Sequence, residues 1–325
     1  MNYKITPEDA VLVGNRVYFT INEFNGLFYS DYGEENAHLA TVIPGESIDG
    51  IRLYSSLQYV NKKYICLIPF KADGIGIYDV ELHEIYKVDL PGGIRSVNIK
   101  FMASAVVDND IFVFELFGTN IYKINVLGKK CEKICSWENL LGGECFFDTN
   151  DAFFRYQTQV YNGKIYVPFC NANAILIYDY YMNSCDIKKL GRDNNGYAGI
   201  QIQNDNVFCG PRRGNSYGVV WNMRDDKLRK IDVVDGDIVG IHVKDGECFF
   251  ALDKDYSFLR NDNELVYDRN KNLIRLLDEN RIWNVNIDTE SIEAELCNGN
   301  LDRSCFCKPV IESGWLGIKS LLSIV

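Results

Sequence analysis

No basic stripe runs through the sequence: 34 Lys and Arg stand against 45 Asp and Glu, for a net charge of −11. Phosphate neutralisation needs clustered cations, so nucleic acid is excluded as a partner, and the acidic balance points to solubility. No apolar run approaches the ~20 residues of a membrane span. Met1 to Ala10 carries no apolar core of a secretion signal, so a cytoplasmic protein without a membrane partner is expected. Histidine is rare, and His38, His83 and His242 lie too far apart to suggest a zinc triad. Neither a GxSxG elbow nor a P-loop occurs. The 11 cysteines lack the paired CxxC pattern of a metal site; the closest spacings are Cys305-Phe306-Cys307 and Cys131-x3-Cys135. Cys66, Cys170, Cys209 and Cys248 lie in apolar runs, where free cysteine packs as a small hydrophobe in a reducing compartment. No metal and no cofactor is expected.

Proline is scarce at 7 residues, while Tyr (20) and Phe (18) are abundant. Aromatic residues suit pleated, half-buried surfaces. With 47% of its 325 residues hydrophobic, the chain can bury a large core. Length alone suggests roughly two domains, but closed β architectures run longer as one unit.

What the sequence does contain is a repeat. An apolar or alternating stretch meets a two-residue polar turn, and a strongly apolar strand follows. Seven hairpins align on that turn: Val13–Arg16, Val60–Lys63, Val107–Asp110, Tyr161–Lys164, Gln203–Asn206, Lys244–Glu247 and Asp278–Arg281. Asn-Gly and Asp-Gly supply the positive φ that tight hairpins need. The strands that follow, such as YICLIPF (64–70), IFVFEL (111–116) and IYVPFC (165–170), are continuous apolar runs. Such runs read as strands buried on both faces. A second marker ends each third strand, an apolar pair closed by Asp or Asn: Asp79, Asn125, Asp179, Asn222, Asp268 and Asp288. Its side chain caps the turn into a fourth, more polar strand. The turns recur at intervals of 34 to 54 residues, which suits the blade of a β-propeller.

The expected fold is therefore all-β: a single β-propeller over 1–325, of four-stranded antiparallel blades, with seven blades favoured over six. The units run roughly 11–50, 51–97, 98–154, 155–195, 196–236, 237–272 and 273–298, with a C-terminal tail at 299–325 whose last segment, Gly314–Val325, is apolar. The seventh unit is about one strand short, so either Asn2–Ile5 completes it or the last two units merge. A sandwich would not need so many equivalent units, and a parallel β/α fold would need amphipathic helices that are missing.

The recurrent IYVPFC…ILIYD and YICLIPF…IGIYD units resemble the bacterial β-propellers grouped with kelch and galactose-oxidase-type propellers, over roughly residues 11–298. The kelch Gly-Gly doublet occurs only at Gly92-Gly93 and Gly142-Gly143, in apparent loops, and the WD and Gly-His marks of WD40 repeats are absent. The resemblance implies ligands at the central channel and its mouth. A copper centre of the galactose-oxidase kind would need His and Tyr converging on the axis, and only His242 lies in an inner strand.

Arg52, Tyr54, Arg155, Tyr156, Gln157 and Tyr197 fall at the inner strands and make a donor-rich mouth. Arg forks recognise carboxylate or phosphate, and Tyr stacks on sugars or peptides. The same groups equally suit hydrogen bonds to backbone and channel water. Arg212 and Arg213, in the Gly-rich loop Pro211–Tyr217, suit an anion or plain solvation. The insertion Trp137–Phe154 suits a functional loop or a cover over a blade junction. The acid pairs Asp148/Asp151 and Asp253/Asp255 suit general acid–base work, or simply solvated turns. The leading expectation is a non-catalytic scaffold that binds a protein, peptide or glycan through the mouth and loops. The alternatives are a lyase or glycan-active enzyme at the mouth, and a structural component of a cytoplasmic complex.

Overall fold

The computed structural model of the chain describes residues 7–21, 25–31, 36–47, 52–95, 97–141, 147, 151–155, 157–193, 195–213, 216–231, 238–244, 247–252, 258–260, 265–267, 275–278, 281–284 and 286–287. Asn2–Ile5, Tyr156, Asp148, Asp253, Asp255, Asp268, Asp288 and the tail at 299–325 lie outside them.

Strands come in fours. The first unit holds β1 (Pro7–Val13), β2 (Arg16–Ile21), β3 (Leu27–Asp31) and β4 (Asn36–Thr41). The second holds β5 (Tyr54–Val60), β6 (Tyr64–Pro69), β7 (Gly74–Asp79) and β8 (Glu84–Asp89). The third holds β9 (Phe101–Val107), β10 (Asp110–Glu115), β11 (Asn120–Asn125) and β12 (Lys130–Ser136). The fourth holds β13 (Gln159–Tyr161), β14 (Lys164–Pro168), β15 (Ala174–Asp179) and β16 (Ser184–Lys189). The fifth holds β17 (Tyr197–Gln203), β18 (Asn206–Pro211), β19 (Gly218–Asn222) and β20 (Leu228–Ile231). The sixth holds β21 (Ile238–Lys244), β22 (Glu247–Leu252), β23 (Phe258–Arg260) and β24 (Leu265–Tyr267). A hairpin of β25 (Arg275–Asp278) and β26 (Arg281–Asn284) follows, and β27 (Asn286–Ile287) pairs in parallel with β4.

All seven expected hairpins form, because each turn carries residues that tolerate positive φ. Asn162 and Gly163 stand at φ 46° and 76°, and Asn204 and Asp205 at 49° and 61°. Val60 pairs with Tyr64, one residue later than the two-residue spacing predicts, and Asn61 and Lys62 take φ 54° and 51°. The Asx markers cap as expected: Asp79, Asp179 and Asn222 each accept two backbone N–H groups of the following turn through Oδ1.

Alternation along each strand decides which neighbour it packs on. In β10, Ile111 and Val113 join the core with Cys66, Ile75 and Ile77 of unit two. Phe112 and Phe114, pointing the other way, join Ile165, Val167 and Leu176 of unit four. Units one and two share a third core around Tyr18, Leu57 and Leu67, and units four and five a fourth around Tyr166, Val207 and Trp221. Fully burying one such side chain is worth about 1.5–3 kcal/mol, so the two-sided second strands hold the ring together. In units two to five the fourth strands are the most exposed, with β20 exposed at three of four positions. Four-stranded antiparallel units packed face to face in sequence order form a β-propeller. The last hairpin adds two strands rather than four, and β27 leaves it for the edge of unit one.

Candidate functional site

First strands begin and second strands end at one end of the ring; the tight hairpins lie at the other. At the first end a run of main-chain hydrogen bonds passes from unit to unit. Phe70 donates to Leu53 (2.7 Å), Lys100 to Phe70 (2.8 Å), Leu116 to Lys100 (2.9 Å) and Phe153 to Leu116 (2.7 Å). Cys170 then donates to Phe153 (2.9 Å), Tyr197 to Phe169 (2.8 Å) and Arg212 to Gly196 (2.9 Å). Deeper along the inner strands, side chains continue the stitching. Asp9 accepts from Leu57 N, Ser55 donates to Phe101 O, Thr158 donates to Ser104 O, and Gln201 bonds both main-chain groups of Val243.

This scaffold brings three arginines to one carboxylate. Arg212 forks onto Asp151, with Nη2 to Oδ1 at 3.1 Å and Nη1 to Oδ2, and Nη1 also donates to Cys170 O at 3.1 Å. Arg213 Nη2 donates to Asp151 Oδ2 at 3.1 Å, and Arg155 Nη2 stands 3.9 Å from Oδ1. Asp151 is fixed from below, since its Oδ1 accepts from Ala152 N and its carbonyl accepts from Asn171 Nδ2. Exposure grades outward: the Arg212 side chain is 14% exposed, Arg155 32% and Arg213 66%. Burial alone would push the Asp151 carboxyl up, but the Arg212 hydrogen bond and charge outweigh it and hold it below the usual aspartate value. Asp151 is therefore an anion at neutral pH, not an acid with a proton to give. Among the described residues, these three guanidiniums face the one carboxylate of Asp151. Arg155 Nε is buried with no partner among the described residues. Guanidinium forks of this kind can hold a carboxylate or phosphate.

The other expected mouth residues do different work. Arg52, at φ 55°, bonds Glu8 through Nη2 (2.8 Å) and Nε (3.0 Å) and lies over the Phe70 ring at 4.6 Å. Tyr54 is buried, its hydroxyl lacks a partner among the described residues, and burial raises its pKa. Gln157 is a staple: Oε1 accepts from Ile200 N (3.2 Å) and Ile241 N (3.0 Å), and Nε2 donates to Ile241 O (3.1 Å). Gly199 is needed beside it, since a Cβ there would stand 2.4 Å from Gln157 Oε1 and 2.6 Å from Ile241 N. Tyr197 is fully buried and donates to Asn173 Oδ1. Of the eight residues expected at the mouth, Arg155, Arg212 and Arg213 share a centre, Arg52 lies on Glu8, and Tyr156 is outside the described residues.

Sequence reasoning missed Glu8 as the partner of Arg52. It also missed the network in which Asn173 and Tyr217 both donate to Asp193. Lys100 is buried too, with Nζ on Lys71 O at 3.2 Å, and burial lowers its pKa. The insertion's aromatics cover the junction of units three and four. Trp137 meets Phe153 at 4.9 Å and Phe169 at 5.2 Å, both edge-on, and Phe154 lies 4.8 Å from Phe169. Among the described residues, no group of three His, Cys, Asp or Glu is placed to hold a metal ion, and no helix is long and apolar enough to cross a membrane.

No family model and no curated protein matches the chain. Solved structures match it in fold. A catalytically inactive variant of virginiamycin B lyase from Staphylococcus aureus, solved with quinupristin, is 15% identical with a TM-score of 0.65, over 87% of this chain and 93% of that one. A streptogramin B lyase is 14% identical with a TM-score of 0.60, over 82% and 83%. A chain of a mitotic checkpoint complex is 10% identical with a TM-score of 0.54, over 88% and 86%. At such identities the likeness shows the β-propeller fold alone.

Proposed function

We propose that the protein is a non-catalytic binding scaffold that takes a peptide carboxylate of a partner protein at Arg155, Arg212 and Arg213. The observation that carries this is the convergence of three guanidiniums on the single carboxylate of Asp151. Arg212 and Asp151 form the inner pair, and Arg155 and Arg213 are the more exposed members of the set. The depressed carboxyl of Asp151 does not suit the proton-donor role that an acid–base enzyme would need there. Propellers of similar fold include both lyases and a chain of a protein complex, so the site, not the fold, favours binding. The cytoplasm is the compartment we propose; the free cysteines Cys66, Cys131, Cys135, Cys170, Cys185 and Cys209 support a reducing one.

Fluorescence-polarisation titrations with labelled peptides ending in a free carboxylate, their C-terminal amides, and neutral glycans test this. The free acids should bind, the amides should bind more weakly, and Arg155→Ala with Arg213→Ala should cost roughly 10- to 100-fold for a lost charged hydrogen bond. Binding of glycans alone, or equal binding by acid and amide, would overturn the reading.

A further inference from the structure

Two cysteines sit against each other across a unit boundary. Cys135 is on β12, the outer strand of unit three, and Cys185 is on β16, the outer strand of unit four. Their sulfurs are 3.7 Å apart, and both side chains are half-buried. The neighbouring rim contacts hold this register: Asn183 Nδ2 donates to Ile134 O at 3.1 Å, and Cys135 Sγ stands 3.9 Å from Asn183 O. Tyr178 donates to Asn183 Oδ1 at 2.8 Å and so fixes that bracket from the core side. Neither cysteine belongs to the arginine site.

We infer that Cys135 and Cys185 are a thiol pair that closes into a reversible disulfide between units three and four when a low-molecular-weight disulfide such as glutathione disulfide is present. The sulfurs need only approach by about 1.7 Å to reach a bonded distance of ~2.05 Å, a movement shared by two side chains. The exchange balances in two steps. One cysteine, as thiolate, bonds to a reagent sulfur, the reagent S–S bond breaks, and one glutathione thiolate leaves. The second cysteine gives its proton to solvent and attacks the protein sulfur of the mixed disulfide, and the second glutathione thiolate leaves. Two protein thiols are oxidised and one glutathione disulfide is reduced to two thiols. Desolvation, then the nearby Cys135, pushes the Cys185 thiol up, so closure should be slow near neutral pH and quicken as the solution is made alkaline. Disulfides in reducing compartments are mostly transient and regulatory, and a tie between two outer strands suits that use. It would pin the rim two residues before Trp137, where the insertion enters the core.

The test is peptide mapping of the native full-length chain after glutathione disulfide, with free thiols alkylated first. The digest must separate Cys135 from Cys131 and Cys145, and Cys185 from Cys170 and Cys209. The expected result is a cross-linked pair, Cys135 with Cys185, lighter by two hydrogens and released by dithiothreitol. Cys135→Ser and Cys185→Ser should each abolish that species, and wild type should gain a few degrees in melting midpoint on oxidation. The inference is overturned if both cysteines stay alkylatable. It is overturned equally if they are recovered only as mixed disulfides with glutathione, or if either bridges to a different cysteine.

Discussion

At the scale of single residues, Asp151 is the position on which most depends. Replacing it by Asn keeps the shape and removes the charge that three arginines share. A fully buried pair broken this way costs ~3–5 kcal/mol. The exposed edge of this cluster discounts the expected loss to about 2 kcal/mol. Arg213→Ala, which removes the most exposed of the three, should cost under ~1 kcal/mol. The pH dependence carries the sign of a depressed carboxyl. Its contribution is present above the ordinary aspartate value and is lost as pH falls through the folded one. Wild type and Asp151→Asn should therefore differ at neutral pH, begin to converge near the ordinary aspartate value of about 4, and meet only once the pH is below the lower folded value, as read by urea denaturation. A gap that persisted in acid would mean that the carboxylate's charge is not what matters. The arginines were readable in the sequence as a donor-rich set, because residue type alone says that. Their partners were not readable. Arg212 and Asp151 are 61 positions apart and Arg52 and Glu8 are 44 apart, and only the meeting of loops from different units decides which guanidinium is neutralised.

At the scale of elements, the repeat was legible wherever its chemistry is local. Hairpin turns need positive φ at particular positions, and Asn, Asp and Gly announce it; Asn162-Gly163 and Asn204-Asp205 adopt that geometry. The Asx marker is legible for the same reason. In units two to five the residue four places after it, namely His83, Lys129, Asn183 or Asp226, also takes positive φ. In three of these the aromatic before the marker bonds the residue five places on: Tyr78 with His83, Tyr178 with Asn183, and Trp221 with Asp226. Asp179→Ala should remove two caps, to Tyr181 N and Met182 N, and cost about 1 kcal/mol by analogy with a lost helix cap. Thermal denaturation beside Asp179→Asn, which keeps the acceptor, separates the cap from the charge; equal losses in both variants would show that the charge is what counts. What stayed hidden was long-range pairing. The parallel contact of β27 with β4 has no local signal. The aromatic cluster around Trp137 likewise draws on residues from either side of β13 and β14.

At the scale of the whole molecule, the three guanidiniums that meet Asp151 sit on a chain whose net charge is −11. The two fields act over different distances. An approaching carboxylate feels the acidic surface first, and the three guanidiniums only near contact. The screening length shortens from ~30 Å at 0.01 M salt to ~8 Å at 0.15 M, so added salt removes the distant repulsion before it weakens pairs closer than 4 Å. The stitched main chain from Leu53 to Arg212 keeps the site in place before the ligand arrives, so the encounter rather than a rearrangement should set the on-rate. The association rate of a peptide with a free carboxylate should therefore rise between those two ionic strengths, while dissociation changes less. Stopped-flow fluorescence with a labelled peptide reads both. A rate that falls steadily with salt is the behaviour of a positively steered encounter. It would mean that the guanidiniums dominate the approach path, with the acidic residues gathered on surfaces the ligand never passes.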